Sequence, residues 1–157
     1  MTIDRTTTVF FDAASLFAAS HSPTGGSAYL ILVCQSGYLR AMVSPDVLQE
    51  TERNLLEKST PAAFLRFRQL IADTPLLLVS SPAEPLVRLY EPTFLEDGHV
   101  VAAALSSSAP YLITLDQPFA RRMQAAALPI VTLSPGEFLR EILPNHPDYE
   151  RIRRTVT

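Results

Sequence analysis

A chain of 157 residues fits one domain and is long enough to bury roughly two-thirds of the surface its unfolded form exposes. A hydrophobic content of 47% with 18% charged residues argues against disorder, and the longest clear apolar run, Ala28 to Cys34, is too short for the ~20 residues of a membrane helix. The net charge of −3 does not advertise a nucleic-acid binder, although twelve of the thirteen basic residues are arginine, which suits bidentate phosphate contacts.

In chain order, Thr8-Val9-Phe10-Phe11 reads as a buried strand that stops on Asp12, and Ala13 to Ser20 as a short helix. Ser27 is the expected cap of a second helix, which runs to Ser36 and is ended by Gly37. Tyr38 to Val43 is a second strand. Ser44-Pro45 and Thr60-Pro61 are helix starts with a hydroxyl at the cap and proline in the first turn. Leu76 to Ser80 is a third strand. The three prolines between Ser81 and Pro92 argue against one regular helix there. His99 to Ser107 is an alanine-rich helix, Tyr111 to Leu115 a strand ending on Asp116, and Phe119 to Ala127 a helix. Ile130 to Leu133 is a fifth strand, and Ser134-Pro135 opens a helix through Leu143. The polar remainder from Pro144 reads as a tail or a partner-binding extension.

Strands that alternate with helices and are continuously apolar predict a parallel sheet covered on both faces. The expected architecture is a three-layer α/β/α sandwich around a sheet of about five strands. Cys34 is the only cysteine, so no intrachain disulfide forms. The start of the chain lacks a basic-then-apolar leader pattern, and a cytoplasmic protein is expected.

Four acids fall where open parallel sheets place their chemistry. Asp12 and Asp116 end strands, Glu50 lies in the helix after the second strand, and Asp97 begins the helix that leads into the fourth. Gathered carboxylates repel one another and either take up protons or bind a cation, for which Mg²⁺ or Mn²⁺ is the natural oxygen-seeking partner. His21, His99 and His146 are scattered and do not suggest zinc, and a capping or packing role is expected of His99. Each acid also has a plainer reading, as a helix cap or a solvated charge. Arg121 and Arg122 open the helix past Asp116, where they face either a substrate phosphate or solvent. Arg66 and Arg68 are expected at the surface, and Arg151, Arg153 and Arg154 touch RNA, a partner or solvent.

The segments Val9 to Asp12, Ser22 to Gly26, Val43 to Glu50, Asp97 to Leu105 and Tyr111 to Asp116 occur in the order seen in PIN domains. The chain resembles that family over about residues 7–143, most closely its branch of toxins from toxin–antitoxin pairs. The resemblance implies a PIN-like domain over 1–143, a polar tail over 144–157 and a metal-dependent endoribonuclease using Mg²⁺ or Mn²⁺. It further implies that Asp12, Glu50, Asp97 and Asp116 are the catalytic and metal-binding acids, with Thr114 as the small hydroxyl residue beside the last of them. RNA would be the substrate, and a cognate antitoxin the partner. A homodimer through the helix at 61–73 is open, since Phe64 and Phe67 are either an apolar surface or core. The chain departs from the family at Ala14, where a polar residue is often found two positions after the first aspartate. Ser15 is expected to point elsewhere, which removes a hydrogen bond to the site.

Phosphotransfer folds of the haloacid dehalogenase or receiver type share the strand-then-aspartate start. The first needs an aspartate where Ala14 stands, both need a late lysine, and Lys58 is the only lysine. No Gly-Lys-Ser/Thr run supports a P-loop. The remaining alternative is a PIN-like module that binds RNA or a protein partner without cleaving.

Overall fold

Thr8–Phe11 forms β1, whose Val9, Phe10 and Phe11 are fully buried. The computed structural model describes residues 2–156 of the chain. β1 is the middle of a five-stranded parallel sheet ordered β3-β2-β1-β4-β5, with β2 Arg40–Val43, β3 Leu77–Leu78, β4 Tyr111–Ile113 and β5 Val131–Leu133. The chain builds outward from β1 to β2 and β3, then crosses back to place β4 on the other flank of β1. The strand order therefore reverses between β1 and β4, and a crevice opens at their carboxyl ends.

The helices are α1 Ala13–His21, α2 Gly26–Gln35, α3 Pro45–Lys58, α4 Pro61–Asp73, α5 Glu84–Phe94, α6 Gly98–Ser107 and α7 Gln117–Ala126. α1 packs with α2, α3 and α4, while α5 packs with α6 and α7. The result is the expected three-layer α/β/α arrangement. A satellite cluster of Leu55, Ala63 and Phe67, flanked by Phe17, Leu48, Phe64 and Ile71, ties α3 to α4. Phe67 is thus core, and the half-buried Phe64 packs against this cluster.

Several local expectations change. α2 is capped by Gly25 with no side-chain bond, and Ser27 lies inside the helix with its hydroxyl buried. The proline-rich segment does hold a helix, α5, because Pro82 precedes it and Pro85 sits in the first turn, where no N–H is required. Only Pro92 is internal. β3 is two residues long, an exposed edge strand rather than a buried one. The helix expected from Ser134-Pro135 is a single α-turn, α8 Pro135–Glu137, that loosens to a π-helix over Phe138–Ile142 and tightens to a 3-10 turn over Leu143–Asn145.

The segment expected to be a polar tail instead closes the domain. It forms α9, Tyr149–Thr155, and inserts Ile152 and Val156 into the main core. His146 is buried, with Nδ1 accepting from the Asp148 N–H at 3.0 Å, so Nε2 carries the proton and donates to the Tyr38 carbonyl at 2.7 Å. Arg5 pairs with Asp148 at 2.9 Å and lies over the Tyr38 ring at 4.6 Å. The polar composition of this stretch concealed two apolar anchors at helical spacing. Ile152→Ala should cost about 2–5 kcal/mol in urea unfolding, the range for emptying a buried aliphatic site. An unchanged midpoint would return this segment to the status of a free extension.

Candidate active site

The site grows from the end of β1. Phe11 pairs with Ile113, so the next residues, Asp12 and Thr114, stand side by side at the carboxyl ends of the two strands. The Asp12 N–H still donates to the Ile113 carbonyl at 3.2 Å, continuing the ladder by one bond. The chain then turns helical, which makes Asp12 the N-cap of α1 and Ser15 its third helical residue. In that geometry the third residue folds back beneath the cap. Ser15 accordingly gives its backbone N–H to Asp12 Oδ1 at 2.9 Å, with its hydroxyl 3.0 Å from the same oxygen. The hydroxyl also lies 2.9 Å from the Ile113 carbonyl and shares its one proton between the two acceptors. Ser15 therefore points at the Asp12 carboxylate, against expectation, and supplies a hydrogen bond of the kind whose loss Ala14 suggested.

Asp116 caps α7, accepting from the Phe119 N–H at 3.1 Å, while its own N–H donates to Thr114 Oγ1 at 3.0 Å. Asp12 and Asp116 are thus helix caps, as their plainer reading has it, and both also line the cleft described below. Asp97 differs. It precedes α6 but its side chain makes no capping bond. The glycine that follows allows a close approach: a Cβ on Gly98 would lie 3.2 Å from the Glu91 nitrogen and the Val87 carbonyl of α5, so that α5 would have to give by a few tenths of an ångström. α6 feeds β4 from its amino edge, which leaves Asp97 on the carboxyl edge with the other acids. Glu50 comes from the second turn of α3, with His99 Nε2 3.8 Å from its Oε2.

Asp12, Glu50, Asp97 and Asp116 line one cleft of about 310 Å³. Ala13, Ala14, Phe17, Asn54, Lys58 and Val100 complete its walls. Burial raises the Asp12 carboxyl to about 6; Thr114 and Ser15 act against the shift, and the charge of Asp97 adds to it. Asp97 is also raised to about 6, first by burial and then by Asp116, Glu50 and Glu96, with Arg122 opposing. Arg122 Nη2 lies 3.6 Å from Asp97 Oδ2, so this arginine turns inward onto an acid. Arg121 does not reach the cleft; it is exposed and lines a neighbouring hollow with Thr114, Gln117 and Glu137.

The sequence reading missed Ser15, Asn54, Lys58 and Phe17 as parts of the site. Asn54 and Lys58 follow Glu50 at steps of four on α3, a spacing that puts all three on one helix face. Arg66 is half-exposed on α4, and its guanidinium donates to the Ser20 and His21 carbonyls at the end of α1, at 2.8 and 3.2 Å. Among the described residues, no three acids, histidines or cysteines are drawn together into a preformed metal cage. The donor set is nonetheless all-oxygen and underneutralised, the chemistry that suits a hard divalent cation.

No family model matches the chain, and no curated protein matches it. Solved structures do. PAE2754 from Pyrobaculum aerophilum superposes with a TM-score of 0.57 at 15% identity, covering 95% of this chain and 91% of that one. VapC20 of Mycobacterium tuberculosis, a sarcin–ricin loop cleaving toxin, superposes with a TM-score of 0.55 at 14% identity, covering 78% of this chain and 98% of its own. The fold is PIN-like. The chain shares the architecture of a toxin at an identity that speaks for fold alone, and no helix among the described residues is long and apolar enough to cross a membrane.

A carboxyl raised from 3.8 to about 6 binds its proton more tightly in the folded protein than in the unfolded chain. Its contribution is neutral below about pH 4, turns unfavourable as pH rises to about 6, and stays so above. With divalent cations chelated, Asp12→Asn should therefore stabilise the protein at pH 7.5 by on the order of 2 kcal/mol. The gain should vanish below pH 4, as read from urea midpoints across that range. A gain that persists at pH 3.5 would show that it does not come from the charge.

Proposed function

We propose that this protein is a metal-dependent endoribonuclease of the kind found as the toxin of a toxin–antitoxin pair. The observation that carries the reading is the meeting of four carboxylates, from four separate elements, in one cleft at the point where the strand order reverses. The likeness to VapC20 supports RNA as the substrate and an antitoxin as the partner.

Asp12, Glu50, Asp97 and Asp116 would hold Mg²⁺ or Mn²⁺. When bound, such an ion makes a water a better nucleophile and stabilises charge on a phosphate. Ser15 holds Asp12 in place, and the α7 N-terminus and Thr114 do the same for Asp116. Burial of Asp12 and Asp97 keeps the acids poorly hydrated, so their mutual repulsion is weakly screened and favours uptake of a cation. Arg122 offsets part of that charge beside Asp97. A second reading, a module that binds RNA or a protein partner without cleaving it, rests on the absence of a preformed cage among the described acids.

Purified protein should cleave single-stranded RNA in Mn²⁺ and not in chelator. Asp116→Asn and Asp97→Asn should each lower the rate by at least roughly 100-fold, beyond the effect of losing an outer-shell partner. Mn²⁺ should raise the melting temperature of the wild type, consistent with about 2.7 kcal/mol at a hundredfold excess over Kd, and the variants should respond less. Cleavage that survives both substitutions would overturn the acid assignment. RNA binding without cleavage would favour the module.

A further inference from the structure

Four carboxylates repel an incoming nucleic acid, so a ribonuclease built on them needs contacts that hold the strand beyond the acids. The acid cleft has a second end of different chemistry. Along α3, Glu50, Asn54 and Lys58 occupy one face over successive turns, and all three line the cleft. At a rise of 1.5 Å per residue, Lys58 stands about 12 Å along the helix from Glu50. It is the chain's only lysine, it is exposed, and it enters no ion pair among the described residues. Opposite it on α1, the half-buried Phe17 lines the cleft and stacks on His21, with ring centroids 5.7 Å apart and planes within 15°. His21 is fixed in turn by Ser59, beside Lys58, at 2.8 Å.

An aromatic ring, a primary amide and a mobile cation beside one another form a set that holds a nucleotide. The ring offers a face to the base, the amide reads donors and acceptors on the base edge, and the ammonium takes a phosphate. We propose that Phe17, Asn54 and Lys58 form a subsite for an unpaired nucleotide of single-stranded RNA flanking the scissile phosphate. This rests on the ribonuclease reading for the identity of the strand, whereas the subsite acts through binding. Lys58 is then a positioning residue for the substrate. Its place in the last turn of α3 also favours the helix dipole, but that role would appear in stability and not in RNA affinity.

The test is fluorescence anisotropy of a labelled single-stranded oligoribonucleotide in Ca²⁺, over a series of salt concentrations, with cleavage in Mn²⁺ measured in parallel. Lys58→Gln and Asn54→Ala should each weaken binding roughly tenfold. Lys58→Gln should also reduce the slope of log K against log salt by about 0.7, as for one lost phosphate contact on a single strand. Lys58→Arg should restore affinity, and duplex RNA should compete poorly because its bases are already stacked. In cleavage, Lys58→Gln should raise KM and leave kcat near the wild-type value. Both altered positions lie away from the core, and a cooperative melting transition establishes that each variant is folded, with the midpoint of Lys58→Gln lowered only by the loss of its helix-dipole contact. If the wild type binds and cleaves but the variants match it in affinity and salt slope, the subsite is wrong and the nuclease reading stands. If binding falls in the variants while the wild type never cleaves, the subsite stands and the nuclease reading fails. If the wild type binds no single-stranded RNA, both are overturned.

Discussion

A single carboxylate, that of Asp12, constrains much of this structure. It ends the central strand, caps the first helix and faces the cleft, all within one residue. A buried acid is tolerated only with its oxygens supplied by donors, and here the donors come from the turn of α1 that begins at the acid itself. The same Ser15 hydroxyl reaches across to β4 through the Ile113 carbonyl, so the acid, the helix start and the neighbouring strand are set as one unit. Moving any of the three disturbs the others.

The cleft works against stability, since it concentrates like charge with few neutralising partners. The stabilising terms lie elsewhere. Fully buried aromatic and aliphatic side chains of β1 and β4 form the centre of the core, and the C-terminal segment closes the opposite edge through Ile152, Val156 and the His146 bridge to Tyr38. This separation lets the cleft hold an unfavourable charge distribution while the domain stays folded. It is a common division between a rigid scaffold and a charged edge.

The sheet, its parallel sense and the positions of the four acids were legible in the sequence because each rests on short-range patterning. Val9-Phe10-Phe11 before Asp12 needs only a buried strand and its end, and Ser44-Pro45 needs only the preference of a first helical turn. Ser15 was not legible, because its direction depends on whether the residue after Asp12 is already helical, a difference that turns the side chain to the other side. The helix α5 was misread by counting prolines rather than asking where each falls in a helix. The C-terminal anchors were hidden by composition, since Ile152 and Val156 stand among arginines and threonines that face outward. Lys58 and Asn54 became visible as part of the site only when α3 was known to present its Glu50 face to the cleft.

The closure of the C-terminal segment has a consequence for how the molecule is made. The Arg5–Asp148 and His146–Tyr38 contacts join residues 143 and 108 positions apart, and such contacts form only after intervening chain has been ordered or looped out. All of β1 to β5 is synthesised before Asp148 exists, and the acids at the carboxyl edge depend on none of the groups that seal the other edge. The acids and the groups that close the far edge therefore draw on separate stretches of the chain.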